Sequence, residues 1–262
     1  MNALCLRSKQ NRFRVPVLVL AGVLAGGFLG RTAVVTKAMA EEPAAILSAL
    51  ETKLAGDPDN LRLGSEYRQR AIQSNEYDRA IAFLEELVAS HPDGANTHLN
   101  FGFAYVDKIP AAGSITQVIL ANNALGAFTK SIELNRSWIA LYTRGNSYLY
   151  WPTIFGRVPL GIADLEAALA LQKTDTQKTY HVRSYIALGD GYWKSDDLEK
   201  ARRIWSEGLK EFPVNAALRS RVSAQGDALK AVIDDTYDIT RRVDTSLNEL
   251  WAADTSSAEA GK

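Results

Sequence analysis

Residues 182–215 read VRSYIALGDGYWKSDDLEKARRIWSEGLKEFPVN. Tyr185 is followed by Leu188-Gly189 and then Tyr192, and after these come Ala201, Trp205 and Pro213. The spacing predicts two amphipathic helices joined by a short turn. Small Gly189 and Ala201 let the two helices approach closely. Tyr192 and Trp205 fill the space towards neighbouring units, and Pro213 stops the second helix. One such pair cannot bury its apolar face alone, so the pattern calls for further pairs stacked against it.

Those pairs are legible upstream. In residues 61–94, Leu63, Tyr67, Ala71 and Ile72 make a helical stripe. Ala80, Leu84 and Pro92 then repeat the spacing of Ala201, Trp205 and Pro213, although Arg68 stands where the glycine would be. In residues 95–136, Phe101-Gly102 and Tyr105 match the first helix, and Ala124 and Phe128 the second. Tyr105 to Ala124 spans 19 positions where Tyr192 to Ala201 spans nine, which places an insertion near 107–121, with Ser114 as N-cap of a lengthened helix. In residues 137–173, Gly145 and Tyr148 precede Gly161, Leu165 and Ala168. A second insertion falls near 150–160, where Pro152 and Pro159 prevent continuous helix. Residues 43–56 form a half repeat with Ile46, Leu47, Leu50 and Leu54 at helical spacing.

In order and spacing, 182–215 resembles the tetratricopeptide repeat, a helix–turn–helix unit of roughly 34 residues with the signature W-x2-L-G-x2-Y…A-x3-F…P. Tyr takes the Trp slot here and Trp the Phe slot. The resemblance covers residues 43–215 and implies an all-α, right-handed solenoid of about four helix pairs, with domain limits at 41–215. Beyond it, apolar residues from Leu218 to Leu250 recur at helical steps, so 216–252 is expected to be one or two long capping helices, broken near Gly226, which could also drive self-association. Residues 253–262 are a small, polar tail.

Composition narrows the function. The 262 residues are 47% hydrophobic, enough for a sizeable core. Residues 1–40 hold six of the 30 bases and no acid, so 41–262 carry 24 bases against 30 acids. That balance speaks against a nucleic-acid partner. The leader has a basic start to Arg14, an uncharged run from Val15 to Gly30, and Ala38-Met39-Ala40 before two glutamates. It reads as a secretory signal peptide or, uncleaved, as a membrane anchor, the one contact with membrane expected. Either places the folded part in the periplasm or outside the cell. Cys5 lies in the leader and is the single cysteine, so no intrachain disulfide forms.

No catalytic constellation emerges. His91, His98 and His181 lie in different units, none with a second ligand at helical spacing. There is no phosphate-cradling glycine loop and no G-x-S-x-G, and Asp196-Asp197 and Asp234-Asp235 read as helix starts or solvated faces. No cofactor or metal is expected. The distinctive chemistry is aromatic: Tyr142, Tyr150, Trp151 and Phe155, with Arg157, crowd the second insertion. Such residues form binding hot spots, or else they pack the space the insertion makes. The resemblance adds that the first helix of each pair lines an inner groove that holds peptide partners. Its slots hold Asn96, Asn100 and Phe103, then Tyr142, Asn146 and Tyr150, then Arg183, Asp190, Trp193 and Lys194. The middle of this set suits hydrogen bonding to an extended peptide backbone. There is no repeated Lys/Asn set of the kind that clamps a C-terminal carboxylate. The expectation is a non-catalytic scaffold for a protein or peptide partner in assembly of an envelope or secreted complex. The alternative is a solute-binding or transport-accessory protein with an aromatic pocket.

Overall fold

A computed structural model describes residues 29–252, with side chains from Pro43 onward. The chain divides into two units, Met1–Glu41 and Glu42–Lys262. Most of the expected leader (1–28) and the whole tail (253–262) lie outside the described residues, and the Ala38–Ala40 triplet falls within the first helix. No helix among the described residues is long and apolar enough to cross a membrane.

The described residues are all-α: α1 Leu29–Gly56, α2 Leu61–Ser74, α3 Tyr77–Ser90, α4 Ala95–Lys108, α5 Ser114–Leu134, α6 Trp138–Leu149, α7 Val158–Gln172, α8 Val182–Lys194, α9 Leu198–Glu211, α10 Ala216–Ser223 and α11 Gly226–Thr236. Four helix pairs, α2–α3, α4–α5, α6–α7 and α8–α9, stack as a solenoid, with α3 on α4 and α7 on α8 joining consecutive pairs. Side chains at the turns start the helices. Asn60, Ser137, Asp197 and Asn215 each accept the backbone N–H three residues on.

The close approach within pairs is where the repeat places it. A Cβ on Gly189 would lie 2.2 Å from Trp205 Nε1, and one on Gly102 2.3 Å from Phe128 Cε1. Trp205 is fully buried and donates its indole N–H to Asp190 at 3.1 Å. Apolar side chains gather in three clusters along the stack. One is centred on Leu47, Tyr67 and Leu84, one on Leu99, Phe103 and Phe128, and one on Leu165, Tyr185 and Trp205.

Three local features differ from the sequence reading. Ser114 is the first helical residue of α5, and Gly113 holds the cap position without a side-chain bond. Pro159 sits in the first turn of α7, where its missing N–H costs no helical hydrogen bond, so it starts that helix. The capping segment breaks near Gly226 as expected, but its helices are short where long ones were expected, with 8 residues in α10 and 11 in α11, and helix ends at Thr236 and does not run on through Val243. The cause is local competition. Asp238 accepts the backbone N–H and hydroxyl of Thr240, and Asp244 accepts the N–H of Ser246. Each folds the chain into a turn that a helix would have to give up. Helix resumes over 248–252.

Candidate partner-binding face

Residues 237–251 form a strap that touches α2, α4, α6 and α8, the first helix of every pair. It begins at buried Tyr237. The Tyr237 phenol meets the Asn146 side-chain oxygen at 3.5 Å, its ring stands edge-on to Tyr150 with centroids 5.0 Å apart, and the Lys194 ammonium lies 4.5 Å from the ring centre. Further on, Arg242 donates to the Asp107 carbonyl at 2.9 Å and to the Tyr77 hydroxyl at 2.8 Å. The two carbonyls at the heart of the strap are both read by α2. Arg68 Nη2 donates to Thr245 O at 2.9 Å, and the Ser65 hydroxyl donates to Ser246 O at 2.6 Å. Leu247 enters the cluster of Leu99, Phe103, Phe128 and Ala140. Glu249 pairs with Arg183 at 2.6 Å, and the Arg62 guanidinium lies 5.8 Å from the Trp251 ring centre.

Leu247 holds φ at 56°, a left-handed conformation that side-chain-bearing residues avoid. Such strain persists only where the surroundings impose it. Here the apolar cluster on one side and the Arg183–Glu249 pair on the other fix both flanks of the turn.

The seat beneath the strap is polar at its centre. Arg68, 1% exposed, pairs with Asp107 at 2.9 Å, donates its Nε–H to Asn100 Oδ1 at 3.2 Å, and lies with its guanidinium 4.7 Å from the Phe103 ring centre. The Asp107 carboxylate also accepts the Thr245 hydroxyl. Burial pushes the Asp107 carboxyl above the usual carboxylate range, and Arg68 offsets part of that rise. A second buried pair closes the other end. Asp190, wholly buried, receives Arg221 Nε and Nη2 at 2.6 and 2.8 Å.

Between the strap and the helices lies an apolar cleft of about 660 Å³. Phe103, Val106, Ile139 and Tyr142 form its floor, Tyr150, Trp151 and Phe155 one side, and Ile239, Val243 and Leu247 of the strap another. The two insertions meet behind Trp151, where Arg157 donates to Asn122 Oδ1 at 2.9 Å and covers the Trp151 ring at 3.6 Å. Gly156, at φ 65°, supplies the left-handed turn that ends the short 3-10 helix Thr153–Phe155. Phe155 is 60% exposed and Ile154 89%, and Ile115, Val118 and Ile119 of the lengthened α5 are exposed as well.

The expected groove residues therefore divide. Phe103, Tyr142, Asn146, Tyr150, Trp151, Phe155 and Arg183 come together on the cleft wall. Burial raises the Tyr142 phenol above its ordinary value, with Arg183 beside it acting the other way. The Tyr150 phenol is pushed up to about 12 by burial. Arg157 stands behind Trp151, and Lys194 covers Tyr237, where burial lowers its ammonium. Trp193 packs half-buried against the C-terminal cluster. Three residues differ from expectation because their polar atoms are spent inside the chain. Asn96 bonds Asp59 through its backbone N–H at 2.6 Å and reaches the Asp59 carbonyl with its side-chain amide at 3.0 Å. Asn100 is buried against Arg68, and Asp190 lies under Arg221. Ser65, Arg68, Asp107 and the strap itself were not foreseen. The one visible signal was a charged Arg68 in a glycine slot.

Among the described residues no group of three or more His, Cys, Asp or Glu side chains could hold a metal ion, and no buried side-chain polar atom lacks a hydrogen-bond partner. The chain matches no family model and no curated protein sequence. It is similar in structure to TTC0263, a thermophilic TPR protein of Thermus thermophilus, with a TM-score of 0.51 and 21% identity over 76% of this chain and 96% of that one. MamA is similar with a TM-score of 0.48 and 19% identity over 72% of this chain and 96% of that one. The likeness is one of fold: the chain folds as a tetratricopeptide-repeat solenoid.

Proposed function

We propose that the chain is a non-catalytic scaffold whose inner face holds an extended segment of a protein partner. The observation that carries this reading is the strap. Ser65 and Arg68 bind main-chain carbonyls of a non-helical segment, the chemistry by which a groove holds an extended peptide whatever its side chains. The aromatic wall and the exposed insertion supply side-chain contacts beside it, in a region of the kind that carries hot spots. The basic and apolar leader supports a place outside the cytoplasmic membrane, either periplasmic or anchored, and a role in assembling an envelope or secreted complex.

In-cell crosslinking from a photoreactive residue at Phe155, read by mass spectrometry, identifies the partner. Its capture then falls in the double variant Trp151→Ala/Arg157→Ala while helicity and melting stay unchanged. Equal capture by the double variant refutes the assignment of the insertion. A second reading has the cleft in its favour, since its volume lies in the range of small-ligand pockets, about 300–1,000 Å³. A solute-binding protein of this kind shows a large thermal shift with one apolar small molecule and captures no protein.

A further inference from the structure

We infer that the strap is a resident occupant of the partner site, and that the site takes an external segment with the strap's own pattern: a hydroxyl residue, then leucine two residues on, then an acid two residues after that. The inference rests on the scaffold reading and specifies its partner. Five contacts define the pattern. The carbonyls of Thr245 and Ser246 are taken by Arg68 and Ser65, the Thr245 hydroxyl by Asp107, the Leu247 side chain by the cluster of Phe103 and Phe128, and Glu249 by Arg183. Every group that reads the segment belongs to the repeat helices. The occupant can therefore be exchanged for another of the same chemistry without rebuilding the seat.

The strap is also made to leave. Residues 239–244 are all exposed, so this half of it is held by few side chains. Its turns at Asp238 and Asp244 are closed by its own side chains, so they survive release. Leu247 regains an unstrained backbone once the seat lets go. The preceding helices have their own anchors, α10 in the Arg221–Asp190 pair and α11 in Leu229 and Ile233 of the C-terminal cluster, so release beyond Tyr237 leaves both in place. With the seat occupied, the apparent affinity for any external segment is the intrinsic affinity multiplied by the fraction of molecules whose strap is released.

The test uses the full-length chain and a fluorescent synthetic peptide of residues 240–252 as probe. Leu247→Asp and, separately, Glu249→Arg weaken the strap in cis while the probe keeps the native sequence. Anisotropy titrations are expected to show at least about tenfold tighter probe binding by both variants than by the wild-type chain. Adding Arg183→Glu to Leu247→Asp, which opposes the probe's own glutamate, is expected to remove the gain. No gain in folded variants, or a gain that survives Arg183→Glu, overturns the proposal. So does loss of helical circular dichroism in either strap variant, since the strap is then part of the core. Crosslinked partner capture through Trp151 and Arg157 is read independently. Its persistence beside a failed peptide titration leaves the scaffold reading standing and removes the strap alone.

Discussion

Replacing Arg68 with methionine tests the seat most sharply. The change keeps most of the aliphatic stem and removes the guanidinium that lies over the Phe103 ring. What it abandons is Asp107, whose side chain is 4% exposed and whose pairing to Arg68 at 2.9 Å is lost. It also strips the Thr245 carbonyl of its donor. Breaking a buried pair on one side costs about 3–5 kcal/mol, because the remaining charge keeps the Thr245 hydroxyl but loses its buried counter-ion. For a chain of this size that is a melting shift of roughly 6–20 °C.

The sign of the pH dependence follows from Asp107. Its carboxyl is already raised above the ordinary 3.8 by burial, and loss of Arg68 raises it further. A raised folded-state value means that the folded chain holds the proton more tightly than the unfolded one. The penalty is absent below the unfolded value and grows as pH rises through the folded one. Urea unfolding followed by circular dichroism should therefore show a larger loss for Arg68→Met at pH 7 than at pH 5. The double variant Arg68→Met/Asp107→Leu, which leaves no buried charge, should recover most of the loss at pH 7. A single-variant cost below about 1 kcal/mol, or equal losses for single and double variants, refutes the account of the pair.

Other outcomes follow from packing and titration. Gly189→Ala places a methyl 2.2 Å from Trp205 Nε1 and should cost about 1–3 kcal/mol by overpacking, whereas Gly126→Ala in α5 meets nothing within 4 Å and should gain about 0.5–1 kcal/mol. Denaturation midpoints decide this, and a neutral Gly189→Ala would mean that the helices can separate freely. His181 is buried between Trp138 and Tyr180, accepts the Lys178 N–H at 3.2 Å, and is held below its ordinary 6.5 by burial. A lowered folded-state value gives stability that is present above 6.5 and lost as pH falls through the folded value. His181→Gln should flatten the stability curve on the acid side of 6.5, and an unchanged slope there would assign the acid loss to other groups.

The repeat was legible because its determinants are local. Each pair needs a glycine or alanine at one spacing, an aromatic or leucine at another, and a stop, all within one unit, so Gly189, Trp205 and Pro213 announce themselves in sequence. The two insertions were legible as changes in spacing, and the aromatic wall of Tyr142, Tyr150, Trp151 and Phe155 as composition. The strap was not, because its recognition spans the whole solenoid: Ser65 meets Ser246 across 181 positions, and Arg68 meets Thr245 across 177. No periodicity records such a contact. The helical pattern of apolar residues after Leu229 even favoured the wrong local structure, since two aspartates closing their own turns outweighed it. Arg68 in a glycine slot reads locally as a weakened repeat. Its partners Asp107 and Thr245 are brought to it only by the stacking of α2 on α4 and the return of the chain end. Sequence alone thus determined a stack of helix pairs and the chemistry of its insertions. Tertiary structure decided what fills the inner face, because burial and pairing between distant segments depend on where the stack carries them.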